Sequence, residues 1–139
     1  MGSIRMPEPD KIMKLMVEAT KQMEQAYAPY SQYTVGAALL DSEGNIFSGC
    51  NIENASYPAG ICAERVAISK AISEGSREFE AIAIAGGLRG DISKACPPCG
   101  ICRQVLSELC PPDMPVILVK SDGYECHALS ELLPFSFML

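Results

Sequence analysis

Basic residues are scarce in this chain: 11 lysines and arginines stand against 17 aspartates and glutamates, for a formal charge of −6. A phosphate backbone or an anionic membrane selects a basic surface that is missing here, which excludes nucleic acid and membrane as partners and favours a small neutral or cationic one. No apolar run approaches membrane-spanning length, and Arg5, Glu8, Asp10 and Lys11 interrupt the N-terminus before a signal segment develops. The position that N-myristoylation would require as Ser or Thr holds Met6. These absences predict a soluble, cytoplasmic protein whose first eight or so residues are a loose lead-in. Internal repeats, low-complexity tracts and long polar linkers are missing too, so residues 1–139 are expected to form one domain, with 48% hydrophobic content to supply its core.

Cysteine, in contrast, is plentiful. Seven cysteines without a secretion signal predict reduced thiols that bind metal, catalyse or pack, and the odd count leaves one unpaired in any scheme of bridges.

Hydrophobic spacing supplies the elements. Ile12, Met16, Ala19, Met23 and Tyr27 recur every three or four residues and predict one helix over 10–27, ended by Pro29. "TVGAALL" and "NIFSGCNI", separated by "DSEG", predict a hairpin. A second helix over about 62–74 stops at Gly75. The apolar runs "AIAIAG" and "VILV" predict strands covered on both faces, with a helical "CGICRQVLSEL" between them and a final edge strand in "SDGYECHAL". Helices alternating with buried strands predict a three-layer α/β/α sandwich.

Two stretches carry the chemistry: "GICAERVAIS" with Cys62 and Glu64, and "PPCGICRQ" with Cys99 and Cys102. Cys62 and Cys99 each fall at a helix start, where unpaired N–H groups and the helix dipole favour thiolates. Crossovers on adjacent parallel strands would bring both helix starts to one edge of the sheet. Three thiolates and one water then complete a tetrahedral zinc site that keeps an open position, the pattern of catalytic rather than structural zinc. The cluster is anionic, and the helix dipoles and Arg65 are expected to offset this. A carboxylate at Glu64, beside such a cluster and away from solvent, suits a group that both accepts and returns a proton.

Cys-x-Glu followed by Pro-Cys-x-x-Cys is the zinc deaminase signature with cysteine where many members have histidine. The chain resembles the small, homotetrameric cytidine deaminases of pyrimidine salvage, and "YAPYSQYTVGAALL", "GCNIENASYPAGICAER", "PCGICRQVLSEL" and "ELLPFSF" occur in family order and spacing. The resemblance implies a mixed five-stranded sheet, and hydrolysis of cytidine and 2′-deoxycytidine to uridine and 2′-deoxyuridine with loss of ammonia. It also implies one zinc per subunit on Cys62, Cys99 and Cys102, with Glu64 as proton shuttle. Asn51 and Glu53 are assigned to the ribose hydroxyls, Tyr33 and Ala63 to the base, and Tyr57 and Phe137 to the substrate site near a subunit boundary. Tyr33 stands where the family usually has Phe, and Ile101 replaces a usual small residue inside the second motif.

Other readings attach to the same residues. Glu64 alone would be a helix-start acid favoured by the dipole. Cys50, Cys110 and Cys126 are expected to pack, His127 to lie on the surface, and Cys96, held outside the helix by Pro97 and Pro98, to be a bystander. An iron–sulfur run fails because Leu106 and Ser107 stand where Cys-Pro would continue it. A non-catalytic metal or thiol-redox protein would use Cys96, and a deaminase of the blasticidin S type would share "PCGxCRQ" and "ELLP", while "NIENASYP" favours an ordinary nucleoside.

Overall fold

The computed structural model describes residues 4–139. The first helix, α1 (Pro9–Gln22), begins with proline where a missing N–H costs nothing, and buries Ile12, Leu15 and Ala19. Its apolar face ends sooner than spacing predicts: a 3-10 turn over Met23–Gln25 tightens the chain, and Tyr27 is exposed and bridges to Ile52 instead. Leu15 rather than Met16 is fully buried, since the buried stripe of α1 runs through Ile12, Leu15 and Ala19, three and four residues apart, and Met16 lies at its edge. Of the expected lead-in, residues 1–3 lie outside the described residues, and Met6 Sδ lies 3.5 Å from Cys126 Sγ.

The predicted hairpin is β1 (Tyr33–Asp41) with β2 (Ile46–Cys50). Gly44 supplies a left-handed φ of 88° in its turn. Asp41 is buried there and accepts hydrogen bonds from Glu43 N, Asn45 N, Asn45 Nδ2 and Ser76 Oγ. Burial would raise its carboxyl, but the donors from Asn45, Ser76 and Glu43 outweigh it and hold the group below its ordinary range.

The sheet runs β2-β1-β3-β4-β5, with β3 (Phe79–Leu88), β4 (Pro115–Lys120) and β5 (Gly123–Ala128). β3 and β4 are parallel and the other neighbours antiparallel, so the five-stranded sheet is mixed. One face carries Ala37, Leu39, Ile82, Ile84, Val116 and Leu118 under α2 (Ala63–Ser73), α3 (Gly100–Leu109) and the short α4 (Leu129–Leu132), which spacing does not predict. The other face packs Ala38, Leu40, Ala83 and Ala85 against α1. This is the expected α/β/α sandwich.

Since β2 and β3 both run antiparallel to β1, they are parallel to each other, and α2 crosses from one to the other over β1. α3 crosses between the adjacent β3 and β4. Only the second crossover joins neighbours, yet both helices start from the same edge of the sheet. No helix among the described residues is long and apolar enough to cross a membrane.

Candidate active site

Cys62 and Cys99 are the residues immediately before α2 and α3, each with extended backbone, and the carbonyl of each accepts from the helix that follows, Cys62 O from Arg65 N and Val66 N, Cys99 O from Arg103 N. Cys102 lies one turn into α3 and is fully buried. The three sulfurs fall within 4.8 Å of one another, with Cys62 Sγ 3.7 Å from Cys99 Sγ. Tetrahedral ligation at the zinc–sulfur length of about 2.3 Å puts two sulfurs about 3.8 Å apart, so the donor set and its spacing fit zinc. Among the described residues no fourth ligand joins the group, which leaves one coordination position open.

The surroundings of Cys62 favour its thiolate. Cys62 is held down to about 5, first by its interaction with Cys102 and then by Arg65 and Cys99, against the opposing effect of burial. Cys102 is pushed up by Cys62 and by burial, so within this coupled pair Cys62 carries the charge. Arg65 Nη2 lies 3.6 Å from Cys62 Sγ.

Glu64 is 4% exposed, one of only two buried charged residues among those described. Burial, reinforced by the neighbouring Cys62 charge, pushes its carboxyl up to about 7. Glu64 lines a cavity of about 370 Å³ together with Cys62, Ala63 and Cys99. Tyr33, Asn51 and Glu53 line the same cavity, so these predicted residues converge on one place. A larger cavity of about 850 Å³ lies at the β1–β2 turn, but its walls, mostly polar with Lys70, Glu74 and Arg77 among them, include no thiol.

The two predicted sugar-binding side chains are preset by the backbone. Asn51 Oδ1 accepts from Val35 N at 2.9 Å and Nδ2 donates to Tyr33 O at 2.8 Å, which leaves one amide hydrogen unused. Glu53 accepts from Tyr30 N, Ser31 N and Ser31 Oγ, and the Ser31 hydroxyl above all keeps its carboxyl ionised below the usual range. Both are held by paired backbone: Tyr27 N donates to Asn51 O, Glu53 N to Tyr27 O, and Ile52 exchanges hydrogen bonds with Ile61.

Tyr57 and Phe137 do not line the cavity within one chain. Tyr57 is 86% and Phe137 68% exposed, and the Phe137 carbonyl accepts from Gln104 Nε2. Cys50, Cys110 and Cys126 are free thiols in buried or half-buried places, and His127 lies half-exposed beside Glu125. Spacing misses Ser31, whose only signal is its place in "PYSQY", and Cys96, which lines the cavity rather than standing apart.

The family model for the cytidine and deoxycytidylate deaminase zinc-binding region matches residues 9–118. Over 127 residues the chain is 47% identical to a cytidine deaminase of Sporosarcina psychrophila, covering 91% of this chain and 90% of that one. Over 124 residues it is 49% identical to a cytidine deaminase of Halalkalibacterium halodurans, covering 88% and 91%. The crystal structure of cytidine deaminase from Burkholderia pseudomallei superposes with a TM-score of 0.83 at 41% identity, over 90% of this chain and 98% of that one. Together with the three clustered thiols and the buried glutamate, these likenesses establish that the chain belongs to the cytidine and deoxycytidylate deaminase family.

Proposed function

We propose that the chain converts cytidine and 2′-deoxycytidine to uridine and 2′-deoxyuridine, with Glu64 as the group that carries the protons. The observation that carries this reading is a buried carboxylate beside three clustered sulfurs at one end of a nucleoside-sized cavity. Zinc on Cys62, Cys99 and Cys102, one per chain, supplies the Lewis acid that makes water a nucleophile near neutral pH. Glu64 takes a proton from the attacking water and delivers it to N3 of the ring while the water oxygen bonds to C4. The proton of the new C4 hydroxyl then passes through Glu64 to the exocyclic nitrogen; as the C4–O double bond forms, the C4–N4 bond breaks and ammonia leaves. Water is consumed and nothing is oxidised or reduced.

The remaining residues hold the substrate. The unused Asn51 amide hydrogen and the remaining lone pair of Glu53 Oε2 suit ribose hydroxyls, one accepting and one donating. Tyr33 lies along the pyrimidine and Ala63, between Cys62 and Glu64, contacts the base. Tyr57 and Phe137, exposed on one chain, are given a role in a homotetramer whose active sites lie near subunit interfaces. The seven free thiols support a cytoplasmic setting.

The test is loss of the cytidine absorbance band on mixing with purified protein, with zinc measured in the same sample. Glu64→Gln is expected to fold and retain zinc while turnover falls about 10²- to 10⁴-fold. Wild-type turnover in that variant would remove Glu64 from the mechanism, and faster turnover of blasticidin S than of cytidine would replace the substrate.

A further inference from the structure

One turn of the chain meets both oxygens of the Glu53 carboxylate. Oε1 accepts from Tyr30 N at 2.9 Å and from Ser31 N at 3.1 Å, and Oε2 accepts from the Ser31 hydroxyl. The turn has its own backbone ties: Gln32 N donates to Ala28 O at 2.9 Å, and Gln32 O accepts from Arg89 N at 2.8 Å. The two backbone donors therefore hold Oε1 whatever side chain stands at position 31. Oε2, in contrast, has only the Ser31 hydroxyl as a partner among the described residues.

Ser31 Oγ accepts from Tyr33 N at 3.0 Å, and the single hydrogen of a serine hydroxyl goes to Glu53. Every group that meets the Glu53 carboxylate is thus a donor, and the open lone pair on Oε2 takes only another donor. Ser31, Tyr33 and Glu53 all line the cavity that holds Glu64. Tyr33 is the first residue of β1, so one chain of hydrogen bonds, Tyr33 N to Ser31 Oγ and Ser31 Oγ to Glu53 Oε2, ties the start of that strand to the carboxylate.

We propose that Ser31 is a positioning residue for sugar recognition: its hydroxyl stops the Glu53 carboxylate from pivoting about the anchored Oε1 and aims the remaining Oε2 lone pair at a ring hydroxyl of the ribose. This rests on the nucleoside reading of the cavity given above. The hydrogen bonds of the Ser31 side chain run to Glu53 and Tyr33, and none runs to Glu64 or to the three sulfurs. Its loss therefore weakens ground-state and transition-state binding alike and leaves the chemical step unchanged.

Comparing nucleosides with and without ring hydroxyls tests this. Ser31→Ala is expected to raise KM for cytidine about tenfold with kcat within about twofold of wild type. For 2′,3′-dideoxycytidine, which has neither ring hydroxyl, the same substitution should change KM, or Ki as a competitor of cytidine, by less than about twofold. A rise by the same factor for both nucleosides, as general damage to the cavity would give, or no rise for cytidine, overturns the proposal. Ser31→Thr keeps the hydroxyl and should hold KM for cytidine within about threefold of wild type. Ser31→Cys keeps the shape with a weak donor and should raise KM for cytidine alone, so the test survives a poorly folding alanine variant. In a Glu53→Ala background Ser31→Ala should change KM no further, and an undiminished change there overturns the proposal. Absence of cytidine turnover by the wild-type protein overturns the function proposed above and this inference with it, whereas wild-type turnover with an unmoved KM in Ser31→Ala overturns this inference alone.

Discussion

A cluster of three thiolates around one dication carries excess negative charge, and Arg65 is the cation placed against it. Its Nη2 is 3.6 Å from Cys62 Sγ, and its buried Nε has no hydrogen-bond partner among the described residues, so the side chain is held chiefly by the cluster it neutralises. Arg65→Gln keeps much of the packing and removes the charge. It is expected to fold, to lose zinc to a chelating dye about 10- to 100-fold faster than wild type, and to turn over cytidine more slowly. Zinc retention equal to wild type would show that the charge is dispensable. The acid, the three thiols and Arg65 were all legible in the sequence because their spacing from helix starts is local. The place of Cys96 on the cavity wall was not, because Gly86 and Val35, which border its seat, come from two other elements.

At the scale of elements, the site depends on how closely two helices approach the sheet. Gly36 and Gly49 lie on opposite faces of the β1–β2 pair. A Cβ at Gly36 would stand 1.9 Å from Ala19 O of α1, and one at Gly49 would stand 2.7 Å from Ala63 O and Ala67 N of α2. Each glycine lets a helix backbone rest where a side chain would otherwise be. Gly49→Ala must move the first turn of α2, which carries Glu64 and follows Cys62. It is expected to destabilise the fold by about 1–3 kcal/mol, seen as a lower Tm, and to reduce zinc retention as the Cys62 sulfur leaves its partners. Unchanged Tm and zinc content would mean that α2 is not set by this contact. Helix and strand positions followed from apolar periodicity; the early end of α1 did not, because a 3-10 turn preserves the apolar spacing while rotating the chain.

The whole molecule leaves large apolar side chains uncovered around the site and at the C-terminus: Tyr57, Phe135, Phe137 and Leu139 are exposed. Aromatic side chains of this size carry a large apolar area that a partner can bury. For a second copy of this chain as that partner, light scattering should report a mass near four chains. Phe137→Ala should lower both that mass and the rate of cytidine turnover, since Phe137 is proposed to reach a neighbour's site. A monomer with full turnover would sink this reading.

Local chemistry determined much of this protein directly: which residues begin helices, which strands are buried on both faces, and which thiols and acid belong to a deaminase motif. Those features depend on periodicity and on neighbours within a few positions, which a single sequence displays. Tertiary structure alone decided that α2 crosses over β1 before the two helix starts meet, that Asn51 and Glu53 are locked by backbone groups of distant residues, and that Cys96 borders the cavity beside Tyr33. Each of these is a contact between segments far apart in the chain. Its existence depends on the order and direction of strands in the sheet, which side-chain spacing does not encode.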